Sequence, residues 1–331
     1  MSGPDDDLAR NLPQSQHPYK VLAFYKFADL QDCAALKSDL ALFCCARGIR
    51  GTFILAPEGI NGTVAGTPTA IDELIGFLYG GPFGTRLHGA EAKISWAAAM
   101  PFLRMKVRLK PEIVTLRAPE ANPSRLVGTY VEPEHWNALI ADDEVTLIDT
   151  RNDYEAAIGT FAGAIDPHTK SFTEFKDYVA QNLDPARQKK VAMFCTGGIR
   201  CEKASSYLLS QGFEQVFHLR GGILKYLEVM PEVESTFRGE CFVFDERVAV
   251  KHGLAQGEAQ LCRACRNPMQ PHALVDGICS DCRDAGRTAG AEERERQMAI
   301  ARARGEVHLG EDAAATAARN KARKLERRKQ A

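Results

Sequence analysis

Residues 191–201 read Val191-Ala192-Met193-Phe194-Cys195-Thr196-Gly197-Gly198-Ile199-Arg200-Cys201. Four apolar residues end at a cysteine, a glycine-bearing loop follows, and a helix is predicted from about Arg200 to Gln211, closed by Gly212. A short unbroken apolar run is the mark of a strand covered on both faces, as in parallel sheets. Working outward, VTLID (145–149) and VFHL (216–219) are strands of the same kind, and residues 133–141 and 170–181 read as helices. The alternation predicts an α/β domain over residues 124–232, a parallel sheet with helices on both faces. Ligands bind at the carboxyl ends of strands in such sheets, which is where Cys195 stands.

The successive backbone N–H groups of a tight loop form an anion nest, and the helix after it adds partial positive charge. Both favour thiolate over thiol. Cys195 is therefore the candidate nucleophile, cradled by Thr196, Gly197, Gly198, Ile199 and Arg200. Cysteine phosphatases separate cysteine from arginine by five residues. Here that position is Cys201 and the arginine comes one residue earlier, so the ring suits a persulfide-sized group better than a phosphoryl group. Cys201, in the first helical turn, is the candidate resolving thiol for an oxidised Cys195; a packed thiol is the alternative.

Before this domain, YKVLAFYKF (19–27) is strand-like and Asp29 is placed as a helix N-cap. Leu30, Cys33, Leu36, Leu40 and Phe43 then recur at helical spacing, and Gly48 ends the helix. Strands GTFILAP and NGTVAG follow, then a helix over 68–79 and a strand pair near 92–95 and 106–109. The order is that of a ferredoxin-like α+β domain over 19–120, followed by a linker at Ala118, Pro119, Asn122 and Pro123. Residues 1–18 read as a flexible leader.

The chain has 331 residues, 45% hydrophobic, 26% charged, with a net charge of −1, which excludes collagen-like, wholly disordered and disulfide-miniprotein classes. No apolar run approaches the roughly 18–20 residues of a membrane helix, and no apolar export segment precedes Pro18. A cytoplasmic protein without membrane attachment or an obligate protein partner is expected. The ten cysteines are then more readily buried, catalytic or metal-bound than disulfide-paired. Cys262, Cys265, Cys279 and Cys282 form two C-x2-C knuckles within a cysteine-rich region over 233–285, a spacing suited to a structural zinc ion; free thiols, a redox dithiol or an iron–sulfur cluster are the alternatives. Cys241 falls outside that pattern, while Cys33, Cys44 and Cys45 read as core fillers. In the tail, 286–331, seven cations between Arg319 and Lys329 face only Glu326. That stretch is an RNA-holding arm or a solvated helix. Lys20, Lys26, Lys106, Arg108 and Lys110 are candidates for a basic surface on the first domain.

The cysteine loop resembles the rhodanese-like domain, as do Asp149-Thr150-Arg151 with Glu155, the stretch 159–164, and Leu219-Arg220-Gly221-Gly222-Ile223. The resemblance implies that Asp149 and Arg151 support the domain as an ion pair, with Arg220 in a supporting place; a solvated Arg151 is the plainer alternative. GTFILAPEGINGTVAG (51–66) and PFLRMKVRLKPEIVTL (101–116) resemble the tRNA uridine(34) hydroxylase family, and the likeness spans about residues 19–285. It implies an acylphosphatase-like first domain, a rhodanese-like domain with Cys195 essential, and a small cysteine-bearing region. It also implies tRNA as partner, oxygen as co-substrate, and conversion of the wobble uridine to 5-hydroxyuridine. Glu58 and Asn61 are candidate substrate contacts or turn caps, and Gly59 and Gly62 turn glycines. No flavin or haem motif is seen. The rival functions are a sulfurtransferase working through a Cys195 persulfide and a non-enzymatic zinc-and-RNA module.

Overall fold

The computed structural model describes residues 17–287 together with 296, 299 and 300; most of the leader and the basic stretch 319–329 lie outside the described residues. Of the described residues, one compact unit holds those up to Ala90 with Trp96–Lys110, 299 and 300, and the other holds Glu91–Ser95, 111–287 and 296.

The first unit is built on β1 (Tyr19–Phe27), α1 (Cys33–Ala46), β2 (Arg50–Ala56), β3 (Gly59–Gly66), α2 (Pro68–Gly80) and β5 (Met105–Leu109), with the end of β4 (Glu91–Ala97), whose residues 91–95, Lys93 among them, belong to the second unit. The sheet runs β4-β1-β3-β2-β5. Its first four strands have the ferredoxin-like order, and β5 adds parallel to β2. The expected pairing of 92–95 with 106–109 does not form, because β4 and β5 are the two opposite edges.

Helix α1 starts four residues after Asp29, with Asp32 at the cap. The intervening chain is held along the hairpin turn, where Ala28 N donates to Glu58 O and Leu30 N to Pro57 O. Its buried stripe is Leu36, Leu40 and Cys44. Cys33, Phe43 and Cys45 are only half-buried, Phe43 stacking on Phe77 at 4.2 Å. Of the three expected core cysteines only Cys44 fills the core. Thr67 caps α2, its Oγ1 accepting from Ala70 N at 3.3 Å. Gly62 lies in β3 rather than in the turn: a Cβ there would stand 2.3 Å from the Phe53 ring, so only glycine lets that ring cross the strand.

The second unit contains β6 (Thr129–Val131), α3 (Pro133–Ile140), β7 (Val145–Asp149), α4 (Asp153–Ala156), β8 (Gly159–Phe161), α5 (Phe175–Asn182), β9 (Lys190–Phe194), α6 (Ile199–Ser210), β10 (Gln215–Leu219) and α7 (Gly222–Val229). Strands β6-β10-β9-β7 form one sheet, every pair parallel. Neighbouring residues of a strand face opposite ways, so Ile148, Val191 and Met193 meet α5 and α6, while Leu147, Ala192 and Phe194 meet α3 and α7. That two-sided burial is why the strands are unbroken apolar runs. Helix α5 begins at Phe175 rather than Lys170, because Glu174 turns back to accept from Lys170 N (2.8 Å) and Ser171 Oγ (3.0 Å).

Two stretches are more deeply packed than their composition suggests. Ala118 and Ala121, in the proline-bearing stretch read as a linker, are buried with Leu116 in the α5–α6 core. This strap is pinned by Lys203 Nζ to Glu112 (2.6 Å) and to Val114 O (3.1 Å), and by Gly128 N to Ser205 Oγ (3.0 Å). Nine consecutive residues of α6, Arg200 to Leu208, are buried as a result. After α7, β11 (Phe237–Gly239) pairs with β8, and β12 (Cys241–Phe242) with β13 (Ala249–Val250). Phe237, Cys241, Val243, Val250 and Leu254 join the core around Trp136 and Phe194. The first part of the region read as cysteine-rich is thus a wall of the second unit. The knuckles come later, on hairpins β14–β15 (Gln260–Leu261, Pro268–Met269) and β16–β17 (Leu274–Val275, Ile278–Cys279) and on α8 (Ser280–Asp284). Among the described residues no helix is long and apolar enough to cross a membrane.

Candidate active site

Strand β9 ends at Phe194 and α6 begins at Ile199, so Cys195–Gly198 form the loop between them. Gly198, at φ +102°, turns the chain so that its N–H donates to Cys195 Sγ at 3.1 Å. The carbonyls on the far side of the loop are bound by the start of α7, with Ile223 N on Cys195 O (2.9 Å) and Leu224 N on Thr196 O (3.0 Å). Gly222 makes that approach possible. A Cβ there would lie 2.5 Å from Cys195 O and 2.8 Å from Gly198 N, at a left-handed φ of +65°.

Cys195 is fully buried. Burial alone would raise its pKa, but a hydrogen bond from the Cys201 thiol, the Arg200 charge and the N–H groups of Cys201 and Gly198 outweigh it. The thiol is brought down to about 5, so Cys195 is a thiolate at neutral pH. Cys201 moves the other way, raised by burial and by the thiolate beside it. It keeps its proton and donates. Thr150 Oγ1 lies 3.4 Å from Cys201 Sγ and donates to Phe194 O at 3.0 Å.

Buried ion pairs brace the loop from beneath. Arg200 reaches away from the sulfur to grip Glu155 with both Nη atoms, at 2.7 and 2.8 Å, and Thr196 Oγ1 adds a contact at 3.3 Å. Burial opposes ionisation of Glu155, but Arg200 holds its carboxyl below the ordinary value. Asp149 accepts from Arg151 Nε (2.9 Å) and Nη2 (2.6 Å) and from Thr160 Oγ1 (2.9 Å), and Arg151 Nη2 also meets Gly159 O at 2.5 Å. Both members of this pair are fully buried, so Arg151 is no solvated surface charge.

Lys93 completes the loop. Its Nζ donates to Gly197 O at 2.9 Å and lies 3.6 Å from Glu91. Burial lowers its pKa, against the pull of Glu91 and the Cys195 thiolate. Arg220 stands further out: it pairs with Glu132 at 2.5 Å, lies over the Tyr130 ring at 4.3 Å and is 40% exposed. Cys241 is buried among Arg151, Glu155 and Asp149, and burial raises its thiol to about 12 against the pull of Arg151.

Residues 19–113 match the model of the UPF0176 acylphosphatase-like domain, and residues 132–228 that of the rhodanese-like domain. A tRNA uridine(34) hydroxylase of Sinorhizobium fredii is 51% identical over 314 residues, covering 92% of this chain and 99% of that protein. Another, of Brucella anthropi, is 52% identical over 307 residues, covering 89% and 99%. The chain belongs to the tRNA uridine(34) hydroxylase family. Among solved structures, a rhodanese-like domain from Anabaena sp. aligns with 33% of the chain at 19% identity and a TM-score of 0.28, too low to add to this.

In this tRNA uridine(34) hydroxylase family member the quoted motifs reached Cys195 to Cys201, Asp149, Arg151 and Glu155, but gave Glu155 no role. Lys93 and Glu112 carry no signal of their own. Each is a single charged residue in an ordinary stretch, and only the fold brings it to the loop or to α6. Glu58 and Asn61 lie at the β2–β3 hairpin of the first unit, Asn61 paired in register with Ile54 and Tyr25.

The four knuckle cysteines converge. Their sulfurs all lie within 4.8 Å of one another, with Cys265 Sγ and Cys279 Sγ 3.9 Å apart. A tetrahedral metal at about 2.3 Å from each thiolate sets sulfurs about 3.8 Å apart, so the donors fit such an ion. Cys279 N donates to Cys262 Sγ at 3.4 Å, the kind of backbone support a thiolate ligand takes. Cys262, Cys279 and Cys282 are buried and Cys265 is exposed.

Proposed function

We propose that this protein hydroxylates the wobble uridine of tRNA to 5-hydroxyuridine, with Cys195 as its catalytic thiolate, in the cytoplasm where tRNA is found. The observation that carries the reading is a thiolate cradle around Cys195 in a chain about half identical, over nearly its whole length, to proteins named for that reaction. Cys195 adds to C6 of the uracil, forming an S–C6 bond and moving the C5–C6 π electrons onto C5 and O4. The electron-rich C5 takes one oxygen atom from dioxygen; two electrons and two protons from a reductant release the other as water. Loss of the C5 proton and expulsion of the thiolate then restore the double bond. Cys201, hydrogen-bonded to Cys195, resolves a thiolate that is itself oxidised: Cys195–SOH and the Cys201 thiol give a disulfide and water.

Asp149–Arg151 and Glu155–Arg200 position the loop. Cys262, Cys265, Cys279 and Cys282 hold a structural zinc ion, which ties together a segment too small for a large apolar core. The test is nucleoside mass spectrometry of tRNA from cells lacking the protein, complemented with wild type or Cys195→Ala. Return of 5-hydroxyuridine derivatives with wild type alone supports the reading. Derivatives that never depended on the protein would overturn it and leave sulfur transfer through Cys195 as the leading function.

A further inference from the structure

The sheet of the first unit has one face covered by helices and one that carries unmatched charge. Helix α1 packs on β2 and β5, and α2 on β1 and β3. Gly51, Phe53, Leu55 and Met105 are buried on that side. Alternate residues point the other way: Arg50, Thr52 and Ile54 from β2, and Arg104, Lys106 and Arg108 along β5. The register sets Thr52 beside Lys106 and Ile54 beside Arg108, and since Gly51 pairs with Met105, Arg50 falls next to Arg104. Arg104 and Arg108 are exposed, and Arg50 and Lys106 are half-buried.

Three other cations of this unit are matched by carboxylates, and a fourth is tied to a carbonyl. Lys20 pairs with Asp72, Arg47 with Glu73 and Arg86 with Asp32, while Lys26 donates to Gly89 O. Of the five lysines and arginines singled out in the sequence, Lys20 is thus neutralised by a carboxylate and Lys26 is held at a carbonyl. Among the described residues, no carboxylate lies within ion-pair distance of Arg50, Arg104, Lys106 or Arg108. Arg50 Nε is buried without a partner. Lys106 is held below its ordinary pKa by burial and then by the charges of Arg104 and Arg108.

Like charges on one sheet face repel and cost stability. Three cations at alternate positions of an edge strand repeat every ~6.6–6.8 Å, a line of charge suited to an extended polyanion rather than to one compact phosphate. Val21 and Ala65, in register with Arg50, are covered by Ala97, Met100 and Phe102, so the open part of this face is its β2–β5 side. We propose that this side, with Arg50, Arg104, Lys106 and Arg108, docks the phosphate backbone of the tRNA substrate. The proposal rests on the tRNA reading above and adds where the RNA is gripped.

The test measures binding of a fluorescent tRNA transcript carrying U34 to the full chain by anisotropy, over a series of KCl concentrations. Wild type is compared with Arg104→Ser/Lys106→Ser/Arg108→Ser. At about 100 mM salt the triple variant is expected to bind roughly 10–100-fold more weakly, with the slope of log K against log salt reduced by about 2–3. Unchanged alkylation of Cys195 by iodoacetamide shows that the second unit is intact. If wild type binds tRNA and the triple variant binds it equally, with the same slope, the face is not the docking surface and the functional reading survives. If wild type itself does not bind tRNA, the functional reading falls and takes this one with it. Displacement of the tRNA by poly-glutamate as readily as by RNA of equal charge would reassign the face to acidic protein partners.

Discussion

Two groups of cysteines in this chain are supported in opposite ways. Cys195 and Cys201 sit in a unit with apolar cores on both faces of its sheet, and their loop is braced by ion pairs and glycines that would remain if either sulfur were removed. Cys262, Cys279 and Cys282 are the buried residues of their own small cluster, joined only by half-buried Ala264, Met269, Leu274 and Ile278. In the first group the fold supports the cysteine, which leaves the sulfur free for chemistry. In the second, under the structural-zinc proposal, sulfur supports the fold.

The contrast is tested most strongly by removing the sulfur of Cys195. Cys195→Ala is expected to lower 5-hydroxyuridine formation at least about a thousandfold, while the melting temperature moves by no more than about 3 °C and bound metal is unchanged. A large fall in melting temperature would show that the loop depends on its thiol.

Next comes Glu155→Gln. Stripping one partner from the buried Arg200 pair costs about 3–5 kcal/mol, read as a lower denaturant midpoint at unchanged m-value. A cost near zero would mean that the ion pair does not brace the loop.

For the second group, Cys279→Ser should reduce bound zinc from about one equivalent to under about a tenth, measured by elemental analysis. The chain beyond Ala259 should then become open to protease, while Cys195 alkylation keeps its rate. Equal zinc in the variant would end the structural-metal assignment.

The smallest effect belongs to Lys93. Cys195 alkylation should follow the thiolate, half-maximal near pH 5 against about 8.5 for a free cysteine. Because the folded pKa is depressed, the thiolate's contribution to stability is complete above the unfolded value and is lost as pH falls through about 5. Lys93→Met withdraws a cation, so the midpoint rises. A shift of about one unit slows alkylation at pH 5 roughly fivefold, and Lys93→Arg should restore most of it. An unmoved profile would reduce Lys93 to a tether for Gly197.

What could be read from the sequence was whatever is written in consecutive residues. VAMFCTGGIRC announces strand, loop and helix because two-sided burial demands an unbroken apolar run and the loop demands glycine. The C-x2-C knuckles announce themselves by spacing. The deeper features depend on partners far along the chain. Helix α6 is polar at Glu202, Lys203, Ser205 and Ser206 and would pass for a solvated helix, yet it is buried because Lys203 finds Glu112 and Ser205 finds Gly128. The same pairing turned a proline-bearing stretch that reads as a linker into a strap. At α1, periodicity found the helix but not its register, since a hairpin 25 or more residues away holds the chain extended past Asp29.

The lysine that closes the cysteine loop precedes its hydrogen-bond partner by 104 residues. At roughly 5–20 residues per second of synthesis, Lys93 leaves the ribosome about 5–20 s before Gly197 exists, and α7, which ties down the other side of the loop, comes later still. Cys195 is made only at the end of that interval, and until α6 and α7 have followed it has no cradle and remains an ordinary protonated thiol. The protein thus acquires its reactive sulfur only after α7 has been made, and shorter ribosome-bound chains are spared much of the oxidation and alkylation open to the finished thiolate.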